Sequence, residues 1–226
     1  MKRALLILMV VVPQLLWAQK DDNHAFLRTD YVTFEPFSII NYQTPKIKIG
    51  FNKNITQRWD ASITLGYGHQ KFAFPDSDVG SKYRLYELRN EWQYQAYRYK
   101  RYRYFLGIEV FYIHHTDVYY ASKLYNVDDD YTLAYNHADF RRQKMGLLLK
   151  NSFQFLLSDK IVIHMYTGLG FRVRKNTFTN VDPVWIEFDD EDSRNLFEDH
   201  YNTEEGTDVS PDLAAGFKFI YVLKYL

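Results

Sequence analysis

Beyond a polar lead, the chain alternates apolar and polar residues with a period of two almost everywhere, and no stretch carries a helical stripe. In 161–174, IVIHMYTGLGFRVR, the apolar set is Ile161, Ile163, Met165, Leu169, Phe171 and Val173, while His164, Arg172 and Arg174 fall on the other face. The same alternation runs through 46–52 (Ile47, Ile49, Phe51), 60–70 (Ala61, Ile63, Leu65, Tyr67) and 84–96 (Tyr86, Leu88, Trp92, Tyr94). It continues in 104–113 (Leu106, Ile108, Val110, Tyr112), 144–155 (Met145, Leu147, Leu149, Phe153) and 213–226 (Leu213, Phe217, Phe219, Tyr221). A weaker first strand at 31–40, interrupted by Pro36, brings the predicted count to eight.

Short connections are expected after strands two, four and six, at 53–58, 97–101 and 158–160. Longer ones follow strands three, five and seven, at 71–82, 116–140 and 175–212, while NYQT at 41–44 gives a short first connection. Tight turns at one end and long loops at the other are the habit of outer-membrane barrels, and an even strand count puts both termini at the tight, periplasmic end.

Period two alone does not say which face meets oil. Eight of the ten glycines (Gly50, Gly66, Gly68, Gly107, Gly146, Gly168, Gly170 and Gly216) share the polar face. Inside an eight-stranded barrel there is barely room for side chains, so glycines there relieve crowding; on a solvated exterior they only weaken strands. The polar face is therefore read as the interior and the apolar face as the one toward lipid. Tyr and Trp near strand ends (Trp59, Tyr67, Tyr94, Tyr104, Tyr112) fit aromatic girdles. The expectation is an all-β, eight-stranded, antiparallel, up-and-down transmembrane β-barrel.

The stretches RLYELRNEWQY, YFLGIEVFY, RRQKMGLLLKNSFQFLLSDKIVIHMYTGLGFRVR and GFKFIYVLKYL carry a resemblance to the small eight-stranded outer-membrane barrels of the OmpA/OmpX type. More closely, they resemble a family of exported barrels described as a domain of unknown function. The resemblance implies a fold and a membrane and implies no reaction.

The start of the chain changes the picture of where it acts. MKRALLILMVVVPQLLWA has a Lys2-Arg3 basic region, an apolar run from Ala4 to Leu16 and a small residue at Ala18, so 1–18 reads as a secretory signal peptide. Residues 19–30 read as a polar lead and 31–226 as the barrel. With no cysteine after the apolar run, a lipid-anchored N-terminus is not expected, and thiol or disulfide chemistry is excluded throughout. No later stretch is long and apolar enough for a membrane helix. The chain balances 28 basic against 28 acidic residues; losing 1–18 leaves 26 against 28, a net of −2, which excludes a strong field for nucleic acid.

Candidate chemistry lies in three places. The interior face carries Lys48, Glu87, Arg89, Glu91, Glu109, Lys150, His164, Arg172, Arg174 and Lys218. This set reads as a salt-bridged plug in preference to a proton path, because buried charges must be paired and eight strands leave no aqueous channel. His114-His115-Thr116-Asp117, with Ser122 nearby and His69 on a neighbouring strand, raises a lipid-trimming hydrolase or a metal pair; bland rim histidines are favoured. The last loop is rich in carboxylates (Glu187, Asp189–Asp192, Glu198, Asp199, Glu204, Glu205, Asp208) interleaved with aromatics, and Asp128–Asp130 adds a second acidic run. Their spacing does not match an EF-hand, so a solvated loop is favoured, with divalent cations bridging to anionic glycolipid as a candidate partnership. YRYKRYRY at 97–104 reads as a periplasmic turn anchored at lipid phosphates.

No catalytic residue, cofactor or metal is assigned. The expected role is non-enzymatic, structural or surface-interacting, as a monomer among outer-membrane lipid and surface glycolipid. The alternatives are an outer-leaflet lipid-modifying enzyme and a soluble exported barrel binding an apolar ligand.

Overall fold

The computed structural model describes residues 29–74, 77–99, 101–126, 131–158, 160–184 and 203–225. The leader at 1–18, the acidic run 128–130 and the loop residues Glu187 to Asp199 lie outside the described residues. Eight antiparallel strands follow one another around a closed ring: β1 (Thr29–Phe34), β2 (Ile47–Asn54), β3 (Trp59–His69), β4 (Arg84–Tyr99), β5 (Tyr102–Asn126), β6 (Tyr131–Leu156), β7 (Ile161–Val184) and β8 (Glu204–Tyr225). Pairing of β1 with β8 closes it, with Phe34 opposite Phe219 and Val32 opposite Tyr221. Among the described residues there is no α-helix, only two 3-10 turns at Pro36–Ser38 and Gln70–Phe72.

Register sets the shape. From Ile49 the paired residues run through Leu65, Leu88, Tyr112, Met145 and Val173 to Val209 on β8. In the other direction Ile49 leads through Phe34 to Phe219. The ring thus closes with a stagger of ten residues (219 − 209), which requires steeply tilted strands.

Three boundaries differ from the sequence reading. β1 starts at Thr29, within the lead, and ends at Phe34, because Pro36 cannot donate to a ladder. The first connection therefore spans 35–46, held by Ser38 Oγ donating to Glu35 O and Lys46 O at 2.6 and 2.8 Å, and is not a short loop at 41–44. Strand occupies most of 116–140 and both ends of 175–212, the stretches expected as loops: β5 and β6 pair as far as Asn126 opposite Tyr131, β7 runs on to Val184 and β8 starts at Glu204.

These extensions form their own core. Leu124, Tyr135, Ala138, Phe140 and Phe178 pack together inside them, and the start of β8 pairs in parallel with the tip of β5, Tyr125 opposite Glu204. Ala121 on β5 (φ 48°) and Asn180 on β7 (φ 51°) are left-handed, and at Asn180 the β6–β7 register shifts.

Along the rest of the ring the apolar face points outward. Leu65, Phe171 and Leu213 are 61, 69 and 79% exposed, whereas Lys48, Glu87 and Lys150 on the opposite face are 5, 3 and 3% exposed. Asn151, a polar residue on the outer face, is answered there by Tyr104, whose hydroxyl donates to its Oδ1 at 2.7 Å. Within the extensions of β6 and β7 the polarity reverses. On β6, Met145 and Leu147 point out while Lys144 and Lys150 point in, but beyond Arg142 the inward residues are Phe140 and Ala138 and the outward one is Arg141. On β7, Val173 is outward and Arg174 inward, and four residues on, Thr177 is outward and Phe178 inward.

Interior crowding makes Gly170 irreplaceable: a Cβ there would stand 1.8 Å from Leu147 O, whereas at Gly107 the nearest atom would be 3.2 Å away. Gly170→Ala is expected to cost about 1–3 kcal/mol and Gly107→Ala clearly less, read as the shift in urea midpoint of the folded chain.

Candidate functional site

The charged interior is built from alternate residues of five strands and one connection. On β4, Glu87, Arg89 and Glu91 occupy successive inward positions, so one strand contributes an acid–base–acid ladder. Lys48 comes from β2, Glu109 from β5, Lys150 from β6 and Lys218 from β8, and all but the half-buried Arg89 are buried.

These side chains form a single closed circuit of alternating charge. Glu87 lies 3.4 Å from Lys48; Lys48 donates to Glu35 at 2.6 Å; Glu35 is 3.4 Å from Lys218 and Lys218 3.4 Å from Glu91. Glu91 is 2.9 Å from Lys150 and Lys150 2.8 Å from Glu109, while Arg89 donates to both Glu109 and Glu87 to complete the loop. Lys46 adds a branch at 2.8 Å from Glu87. Tyr166 sits inside the circuit: its hydroxyl donates to Glu35 at 3.2 Å, and Lys150 and Lys218 stand 4.2 and 5.2 Å from its ring centre. Every carboxylate faces at least two cations, the condition under which buried ions repay part of their desolvation.

The remaining candidates lie elsewhere. Arg172 and Arg174 form a second group toward the loop end. Arg172 donates to Ser210 Oγ at 2.9 Å and pairs with Asp212 at 3.3 Å, which Lys144 also approaches at 3.4 Å; Arg174 donates to Glu204 at 2.7 Å. His164 is buried opposite Lys218 in the β7–β8 ladder, with Nδ1 3.4 Å from Gln154 Nε2 and no ion pair among the described residues. The tight-turn end below is closed by Tyr31, Val162, Ile220 and Val222, with Gln154 donating to the Tyr31 hydroxyl and accepting from Arg103.

Sequence reasoning missed Glu35, Lys46, Tyr166, Lys144 and Asp212. Glu35 shares the parity of Tyr31 and Thr33, which was the available signal; Lys144 and Asp212 have inward parity but stood at the edge of, or inside, stretches taken as loops.

The rim histidines do not converge. His115 is fully buried between Tyr83 and Phe140, with ring centres 5.0 and 5.2 Å away, and Asp117 stands 3.7 Å from its Nε2. His114 points outward, opposite Tyr86 on β4. His69 accepts from Lys71 N at 3.1 Å, and Ser122 faces Tyr135 across the β5–β6 ladder. Among the described residues no three His, Asp or Glu side chains are grouped to hold a metal ion. Asp117 is a clamp: its carboxylate accepts from Gly80 N at 2.6 Å, Lys82 N at 3.2 Å and Val118 N at 2.7 Å, fastening the β3–β4 connection over the loop end. Comparison with protein-family models, characterised proteins and solved structures gives no match to this chain, so the site is argued on its geometry alone.

Two outcomes follow. Lys150→Met leaves Glu91 and Glu109 facing each other with fewer cations, and is expected to cost about 3–5 kcal/mol in chemical unfolding. Adding Glu109→Gln should recover part of that loss. At the clamp, burial pushes the His115 pKa down despite Asp117, so the folded state holds the imidazole neutral. Its contribution is present above the ordinary histidine pKa of about 6.5 and is lost as pH falls below that toward the lowered folded value. Hydrogen exchange at the Gly80 and Lys82 amides, corrected for intrinsic rates, should accelerate between about pH 7 and about pH 5, and His115→Phe should remove that acceleration.

Proposed function

We propose that the chain is an eight-stranded, up-and-down transmembrane β-barrel in the outer membrane of a double-membraned bacterium, reached after signal-peptide cleavage and export. Its role is non-enzymatic: structural, or surface-interacting through the strand extensions and the acidic, aromatic loops at the loop end.

The observation that carries this reading is the reversal of polarity within β6 and β7. A strand's two faces are fixed by its pleat, so a strand passing from one medium to another adapts only by exchanging which face is apolar. In the lower part of the ring the outside is apolar and the inside charged; in the extensions of β6 and β7 the outside is polar and the inside carries Ala138, Phe140 and Phe178. A chain surrounded by water along its whole length would keep the second arrangement throughout. The first outward residue past the apolar belt is His69 on β3, Arg84 on β4, His114 on β5, Gln143 on β6, Lys175 on β7 and Thr207 on β8. That polar edge is where lipid would give way to water. The tyrosines Tyr67, Tyr86 and Tyr112 just inside it match an interfacial girdle.

A soluble barrel for an apolar ligand needs a hollow apolar interior, and here the corresponding volume is occupied by paired charges. A lipid-modifying enzyme needs a nucleophile beside a base, and the rim histidines instead meet aromatic rings, a backbone amide or the outer wall.

Cells expressing the full chain should yield it in the outer-membrane fraction, with different gel migration before and after heating. Recovery in the soluble periplasm would overturn the reading. Leu147→Arg, at mid-belt, should weaken folding into phosphatidylcholine bilayers by about 2–4 kcal/mol, whereas Thr179→Arg, beyond the reversal, should leave it unchanged.

A further inference from the structure

The ions inside the ring are matched, and those on one part of its outer wall are not. Lys82, Arg84, Arg141 and Lys175 have no ion-pair partner among the described residues, although Lys48, Lys150 and Lys218 each have two. Arg84 and Arg141 belong to one transverse row, His69–Arg84–Thr116–Arg141–Thr177, across β3 to β7. With strands about 4.8 Å apart, the two arginines flank Thr116 at about 10 Å between backbones, a span their side chains close easily.

His69, Arg84, Thr116 and Arg141 of this row line a concavity of about 640 Å³, together with Lys82 and Thr179. Two acids also line it, and both are engaged: Asp139 accepts from Asn180 Nδ2 at 2.6 Å and faces His137 at 3.8 Å, and Asp117 accepts from the Gly80, Lys82 and Val118 amides. Directly below, one pair further along the same face, Tyr67 and Tyr86 begin a second, apolar groove of about 860 Å³ lined by Ile47, Ile49, Leu65 and Leu88.

We propose that these two adjoining hollows are one binding site for a phosphate-bearing lipid. Lys82, Arg84 and Arg141 hold the phosphate, Thr116 donates to it between them, and an acyl chain lies in the groove under Tyr67 and Tyr86. Guanidinium groups suit this task because they present paired donors to phosphate oxygens in a fixed fork. The site rests on the outer-membrane reading above, since it places the phosphate at the edge of the apolar belt and the chain within it. It holds one lipid against the outer wall at β3–β6, where the ring's exterior is cationic, and gives the surface-interaction role a chemical class of partner.

The test uses the full chain folded in dodecylmaltoside micelles, with heat-modifiable migration of the same sample read first. Dihexanoyl phosphatidic acid, dihexanoyl phosphatidylcholine and inorganic phosphate are titrated in turn, followed by the NMR shifts of the Arg84, Thr116 and Arg141 amides. Saturable binding of the phosphatidic acid is expected. It should fall by on the order of tenfold or more in the Arg84→Gln, Arg141→Gln double variant and be unchanged in Arg98→Gln, a cation exposed at the opposite end. A heat-modifiable chain that shows no saturation, responds equally to inorganic phosphate, or ignores the double substitution overturns the lipid site and leaves the barrel reading standing. A chain that is soluble and never heat-modifiable overturns both.

Discussion

Four glutamates and five cations share one cross-section of this molecule, and the rest of the structure is arranged so that each is answered. Removing an ion from water costs several kcal/mol, and only close partners of opposite sign repay it. The solution here is a circuit: each carboxylate lies between cations and each circuit cation between carboxylates, so like charges are held apart by the intervening side chain. The circuit draws on β2, β4, β5, β6, β8 and the connection after β1, so it forms only when the ring is closed. The apolar cluster of Tyr83, Leu85, Phe111, Ile113 and Leu148 above it and that of Tyr31, Val162, Ile220 and Val222 below exclude water from it.

The two faces of a strand cannot be chosen independently of what surrounds it, and this explains both what the sequence disclosed and what it hid. Eight strands and their inward faces were legible because the lower ring keeps one polarity for its whole height. Gly170, pressed against Leu147 O, and Gly50, whose Cβ would meet Thr33 and Thr64, occupy the crowded side that the glycine pattern pointed to. A search for an unbroken apolar face, however, loses a strand where the polarity exchanges. That is why 131–140 and 175–184 read as loops: Phe140 and Phe178 are out of phase with Met145 and Val173, although the backbone pairing continues through them. The period was constant and only its sense changed.

The candidate site was hidden for a different reason. The interior positions of β4, β6 and β8 could be read from parity, yet Glu35 sits beyond the end of β1, beside a proline that interrupts the pattern, and turns inward from a connection rather than a strand. Without Glu35, Lys48 and Lys218 have no common partner and the circuit is an open arc. Pairing across a ring is set by tilt and stagger, which bring Glu91 on β4 within reach of Lys218 on β8, 127 residues away. No local motif records that. The outer cationic row is similarly a product of register, since His69, Arg84, Thr116 and Arg141 become neighbours only through three consecutive ladders.

A charged interior also gives the strands a penalty for pairing wrongly. If both faces were apolar, a slip of one residue would exchange them at little cost, and the ring would have several competing registers. With Lys48, Glu87, Glu109 and Lys150 inside, the same slip turns ionised groups toward the outer face. In a bilayer each misplaced cation at mid-depth costs about 2–4 kcal/mol, and the acids left behind lose their partners at once. The glycines reinforce the choice, because a slip would drive Ile49 or Leu169 into the narrow interior positions that Gly50 and Gly170 occupy. The circuit's contribution to stability and its contribution to register are therefore separable. Hydrophobic replacement of the whole circuit would preserve much of the packing, yet it would remove the difference between the two faces that tells each strand which way to turn.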